Sequence, residues 1–132
     1  MKIVDRKTFL AMPAGVLYSN YMPCVFGDLS IKGDTVAGID FYVQQIADAV
    51  KCNDSGEFAD VLFDAATNGT SFALDFECEG RDGMFGEHQL FAVWEPQDVA
   101  GLIVRLQQVT PNVLHEGCTK GAAFRASPRW KG

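Results

Sequence analysis

Two segments, one near the middle of the chain and one in its second half, repeat their apolar residues with the period of an α-helix, and nothing before residue 54 does so cleanly. In the first, Phe58, Val61, Leu62 and Ala65 stand at i, i+3, i+4 and i+7, with Glu57, Asp60 and Asp64 on the other side. That pattern gives a helix one apolar and one acidic face. Asp54-Ser55 supply capping side chains, Glu57 and Asp60 suit the positive end of the helix dipole, and Asn68-Gly69 offers a left-handed stop. In the second, Val99, Leu102, Ile103 and Leu106 have the same spacing. Glu95-Pro96 opens it with proline at the first helical position, Asp98 stands in the first turn, and Thr110-Pro111 ends it, because Pro111 has no N–H and disfavours helical geometry in the residue before it.

The rest of the chain reads as β. Phe72, Leu74, Phe76 and Cys78 alternate with Ala73, Asp75, Glu77 and Glu79, the period of a sheet with one wet face, and residues 89 to 94 are apolar on both faces, which suits an interior strand. Gly80 to Glu87, with three glycines, then joins these two as an antiparallel hairpin with a long tip. Before them, Val16-Leu17-Tyr18, Cys24-Val25-Phe26 and Leu29-Ser30-Ile31-Lys32 are short strands punctuated by Pro13, Gly15, Pro23, Gly27 and Gly33-Asp34. Residues 39 to 50 fit either period; we favour a strand that pairs with residues 24 to 32 across the Gly33-Asp34 turn. The expectation is an α+β fold: an antiparallel sheet of five or six strands with two packed helices in a single domain over residues 1 to 111, and a basic, extended or mobile tail over 112 to 132.

With 132 residues and ten Phe, one core can form without staples. The N-terminus lacks the apolar stretch of a signal peptide and no segment has the roughly 18 apolar residues that span a bilayer, which points to the cytoplasm. Cys24, Cys52, Cys78 and Cys118 are far apart, without zinc spacing, and read as reduced, mostly buried thiols, Cys78 pointing inward from its strand. Residues 1 to 109 carry seven Lys and Arg against sixteen Asp and Glu, a balance of −9 that opposes direct nucleic-acid binding; residues 110 to 132 carry a balance of +3.

Enzyme motifs are missing: there is no P-loop, GxGxxG, GxSxG or HExxH, and His88 and His115 lack partners nearby in sequence. No catalytic residue, metal or cofactor is assigned. Asp75, Glu77 and Glu79 would project from one sheet face at steps of roughly 6.6 Å. That is a solvated face, or an acidic row that imitates a phosphate backbone before a protein partner. Met84 and Phe85, between the glycines of the tip, either contact a partner or fold back over the core. For a nucleotide-like ligand the candidates are Tyr18, Tyr42 and Trp94 for stacking and Lys32 and Arg81 for phosphate, each also readable as an ordinary sheet residue. The basic tail and acidic body are complementary, which allows homo-oligomers.

Ile3-Val4-Asp5-Arg6-Lys7-Thr8-Phe9-Leu10, then Pro13, Gly15, Leu17-Tyr18, Pro23, Phe26 and Leu29 to Gly33, resembles the opening of small uncharacterised bacteriophage accessory proteins. The resemblance covers the first third of the chain and implies a viral accessory gene, of which many encode inhibitors of host defence. It assigns no functional residue. The reading favoured is a non-enzymatic protein that binds and sequesters a host molecule, either a nucleotide signal or a defence protein. The alternatives are a small hydrolase or transferase acting on a nucleotide, with His88 meeting Glu95 or Asp82, and a virion structural or assembly protein.

Overall fold

The computed structural model describes residues 1–109, which fall into two units, Met1–Val93 and a second that begins at Trp94. The expected domain boundary at 111, the stop at Thr110-Pro111, Cys118 and the basic tail lie outside the described residues. The first unit holds β1 (Lys2–Val4), α1 (Arg6–Leu10), β2 (Val16–Met22), β3 (Val25–Val36), β4 (Asp40–Gln45), α2 (Ser55–Asn68), β5 (Gly80–Arg81) and β6 (Leu90–Val93). All six strands form one antiparallel sheet in the order β1-β6-β2-β3-β4-β5. Together with α3 (Pro96–Val109) in the second unit, this is the expected α+β class.

β2, β3 and β4 are consecutive neighbours, but the runs expected as separate strands over 24 to 26 and 29 to 32 belong, from Val25 on, to one strand, β3, which Gly27 does not interrupt. The ambiguous segment is strand from Asp40, and it pairs with β3 through Lys32↔Val43 and Val36↔Asp40. The turn is displaced from Gly33-Asp34 to Ala37-Gly38, where φ is 54° and 72°. Those left-handed values match the right-handed twist of the flanking strands. Gly33 instead sits where the β3–β4 register shifts between Lys32 and Thr35. A Cβ there would lie 2.5 Å from Glu79 Oε2 and 2.8 Å from Tyr42 Cβ, so only glycine fits without movement. The β2–β3 turn is tighter, with Cys24 at φ 66° after Pro23.

Two expected β features are absent. No strand runs from Phe72 to Cys78; the segment makes a single bridge, Leu74 to Val50. The cause is local. Asp75 turns its carboxylate back to accept from the Glu77 amide at 2.9 Å, and its carbonyl accepts from the Cys78 amide at 3.3 Å, so the chain bends instead of extending. Asp75, Glu77 and Glu79 therefore form no straight row, and Phe76 and Cys78 are exposed. Nor is there a hairpin over Gly80 to Glu87. β5 pairs with β4, whereas β6 lies between β1 and β2, with Ala92 opposite both Ile3 and Ser19. β6 is the interior strand that its two apolar faces demanded.

The core lies on one sheet face beneath α1. Asp5 caps that short helix by accepting from the Thr8 amide at 2.8 Å. Phe9 then stacks on Phe91 with centroids 4.0 Å apart and rings 6° from parallel, meets Tyr18 at 4.7 Å and stands edge-on to Phe41 at 5.1 Å. Val4, Leu10, Met12, Val16 and Val43 fill the margin. Burying four aromatic rings in mutual contact is the main apolar contribution to this unit.

α2 keeps both of its predicted ends and α3 its predicted start. α2 starts at the Asp54 cap, whose carboxylate accepts from the Glu57 amide at 2.8 Å, and stops at Gly69 with φ 73°. Its apolar side, Phe58, Val61, Leu62 and Ala65, is half-buried. In the second unit, α3 opens at Pro96, and Asp98 accepts from the Glu95 amide at 2.9 Å.

Candidate functional site

A cleft of about 550 Å³ opens in the first unit beside the aromatic core. Its floor is the sheet. Tyr18, Ser30 and Gln45 lie directly opposite one another across β2, β3 and β4, and so share a face. Asn20 and Asp28 continue that surface along β2 and β3, and Val43 continues it along β4. One wall is the stretch after β4, with Asp48, Ala49, Val50 and Cys52, followed by Phe58 from α2. The other is Cys78 to Met84, including Gly80, Arg81 and Asp82.

The first wall is held against the segment that leads into the second. Residues 49 to 51 run antiparallel to 73 to 75, with Val50 bridging Leu74, the Lys51 amide donating to Ala73 O at 3.0 Å and the Asp75 amide donating to Ala49 O at 2.6 Å. Gln44 donates from its side chain to Phe76 O, tying the bend to β4. The far wall is fixed by Asp40. Fully buried, it accepts from Arg81 Nε at 2.9 Å and from the Gly83 amide at 3.0 Å. Burial pushes its pKa up, but the Gly83 amide and the Arg81 guanidinium outweigh that and hold it below the ordinary 3.8. Arg6 reaches the same wall from α1, with its guanidinium 3.5 Å from Asp82 and donating to Ile39 O at 2.8 Å.

Tyr18 joins core to cleft. Its ring packs on Phe9, while its hydroxyl meets that of Ser30. Burial, and secondarily the Asp82 charge, push its pKa well above the usual 10.0, so the phenol stays neutral and acts as a hydrogen-bonding group. The acidic lining is Asp28, Asp48 and Asp82, of which Asp82 is paired with Arg6; its cation is Arg81, which Asp40 already engages.

Of the ligand residues expected from sequence, Tyr18 and Arg81 thus meet at the cleft, and Met84 joins them. Lys32 does not. It is 1% exposed beneath α1, where its ammonium donates to Met12 O at 2.9 Å, Gly33 O at 3.0 Å and Thr35 Oγ1 at 2.9 Å. Burial depresses its pKa. Three acceptors saturate the three donors of an ammonium, so none remains for a phosphate. Tyr42 stands beside Arg81 in the β4–β5 pair, with the guanidinium 5.8 Å over its ring, and is not part of the cleft lining. Trp94 opens the second unit. His88 is exposed and lies outside the lining, while Asp82 is within it. Met84 and Phe85 are 78% and 51% exposed, so neither caps the core.

Sequence reasoning missed Asn20, Asp28, Ser30, Gln45, Asp48, Cys52 and Phe58. Alternation along β2 and β3 would have put Asn20 and Ser30 with Tyr18 on one face once their register was known. Nothing in the sequence could have brought residues 48 to 52 against 78 to 82.

Among the described residues, no group of three or more His, Cys, Asp or Glu is placed to hold a metal ion, and no helix is long and apolar enough to cross a membrane. Comparison with protein-family models, curated proteins and solved structures gave no match. The chemistry of the cleft is therefore the guide to its ligand.

Proposed function

We propose that this chain is a binding protein that captures a small polar molecule in the sheet-floored cleft, and that the preferred ligand carries hydrogen-bond donors or positive charge in place of phosphate. The observation that carries this is the composition of the lining: the Asp28 and Asp48 carboxylates, with Asp82 paired to Arg6, and the neutral hydrogen-bonding groups of Tyr18, Asn20, Ser30 and Gln45, against one guanidinium already paired with Asp40. A phosphate entering here meets net negative charge, whereas an amine or a polyhydroxylated ring meets acceptors. Phe58, Val43, Ala49 and Val50 offer an apolar patch for the ligand's hydrocarbon or ring face. In the setting that the N-terminal resemblance implies, a phage accessory protein, capture would withdraw a host molecule from use.

The test is a thermal-shift panel followed by calorimetry with the full chain, comparing polyamines, amino sugars and nucleosides with their phosphorylated counterparts. A ligand bound only by the native state raises Tm. We expect shifts from the cationic or neutral members, recovered chemically intact, and binding weakened about tenfold by Asp28→Asn or Asp48→Asn. Preferential binding of the phosphorylated members overturns the charge assignment, and recovery of products overturns the non-enzymatic reading.

A further inference from the structure

Two thiols line the same cleft. Cys52 follows the strip that pairs with residues 73 to 75, and Cys78 follows the bend that Asp75 makes, so two cysteines 26 positions apart in sequence line one cavity. Both are free, Cys52 half-buried and Cys78 exposed. The hydrogen bonds Lys51 to Ala73 O and Asp75 to Ala49 O fix one segment against the other, and that from Cys78 to Asp75 O bends the chain just after this pairing. Cys24, by contrast, is exposed at the β2–β3 turn and is not among the lining residues.

We propose that Cys52 and Cys78 form a redox-responsive dithiol that hydrogen peroxide converts to a disulfide joining the two walls of the cleft. The exposed thiol, Cys78, is the one a peroxide reaches first. It is oxidised to sulfenic acid with release of one water. Cys52 then attacks that sulfur, the S–O bond breaks, the S–S bond forms, and the hydroxyl leaves with the Cys52 proton as a second water. Two thiols lose two electrons in all, and the peroxide gains them. Burial, and then Glu57, Asp54 and Cys78, push the Cys52 pKa up. The thiol therefore stays protonated and resists direct oxidation, and its attack on the sulfenic acid proceeds through its thiolate fraction. The product ties the segment before α2 to the segment before β5 and so narrows the entrance between the walls.

The experiment uses the full chain carrying Cys24→Ser and Cys118→Ser, which leaves this pair alone. Treatment with stoichiometric hydrogen peroxide, digestion without reductant and mass spectrometry should yield a linked peptide pair containing Cys52 and Cys78, lighter by two hydrogens and separated by dithiothreitol. Tm of the oxidised protein should rise by about 5 °C or more, because the link closes a long loop in the unfolded chain. Adding Cys52→Ser should halt the reaction at a sulfenic acid on Cys78 that dimedone traps. Sulfinic acid without a linked peptide, a disulfide between two chains, or no dimedone adduct at Cys78 overturns the proposal. The mass readout involves no ligand, so it stands or falls apart from the binding reading.

Discussion

The Arg81 guanidinium donates from Nε to Asp40 Oδ2 at 2.9 Å, and through that contact the start of β4 holds one wall of the cleft. Asp40 also accepts from the Gly83 amide, so one carboxylate sets the course of residues 81 to 83. Replacing it by asparagine keeps an acceptor but presents an amide donor to the guanidinium. Asp40→Asn is expected to lower Tm, to speed proteolysis between Arg81 and Glu87, and to weaken ligand capture. Wild-type protease resistance in the variant would remove Asp40 from this role.

The same pair makes a pH prediction. The Asp40 pKa is lowered on folding, so its contribution is fully present above the ordinary aspartate value of 3.8 and is lost as pH falls through the folded value. The Tm difference between wild type and Asp40→Asn should therefore be constant from neutral pH down to about 5 and shrink below about 4. A difference that grows on acidification contradicts the assignment.

Phe9 is the hub of the aromatic core, touching Phe91, Tyr18 and Phe41 while fully buried. Phe9→Ala should cost about 3–5 kcal/mol in denaturant unfolding, enough to leave a domain of ordinary stability largely unfolded at elevated temperature. Loss of less than about 1 kcal/mol would mean that α1 repacks over the gap.

Lys32 separates a structural from a ligand-binding cation. Lys32→Met should destabilise by about 1–3 kcal/mol, because the carbonyls of Met12 and Gly33 lose their donor. The affinity of the folded variant for a cleft ligand should equal that of wild type. A selective loss of affinity at unchanged stability would return Lys32 to the binding site.

Gly33→Ala should cost about 1–3 kcal/mol, since a methyl there runs into Glu79 and Tyr42 Cβ. Gly80→Ala, where an added Cβ meets nothing within 4 Å, should change stability by less than about 0.5 kcal/mol. Equal effects in paired urea titrations would show that the close approach at Gly33 does not bear on stability.

What the sequence determined by itself is what neighbouring residues decide. The start of α2 at Asp54, its stop at Gly69 and the opening of α3 at Pro96 follow from caps and backbone preferences acting within one turn. The strand over Asp40–Gln45 and the interior place of β6 follow from apolar pattern, and with them the α+β class. The tertiary structure decided the rest. Alternation from Phe72 to Cys78 fits a strand, but the Asp75 side chain competes for backbone amides, and that contest depends on whether a partner strand is available along the whole segment. Strand order is equally non-local: β5 and β6 lie close in sequence, yet Asp40 draws one to the β4 edge while β1 and β2 enclose the other. The cleft is a product of those pairings. Lys32 and Arg81 carry the same charge and are both plausible anchors as letters, and only the packing of α1 over one and the opening beside the other distinguishes a buried strut from a cleft residue.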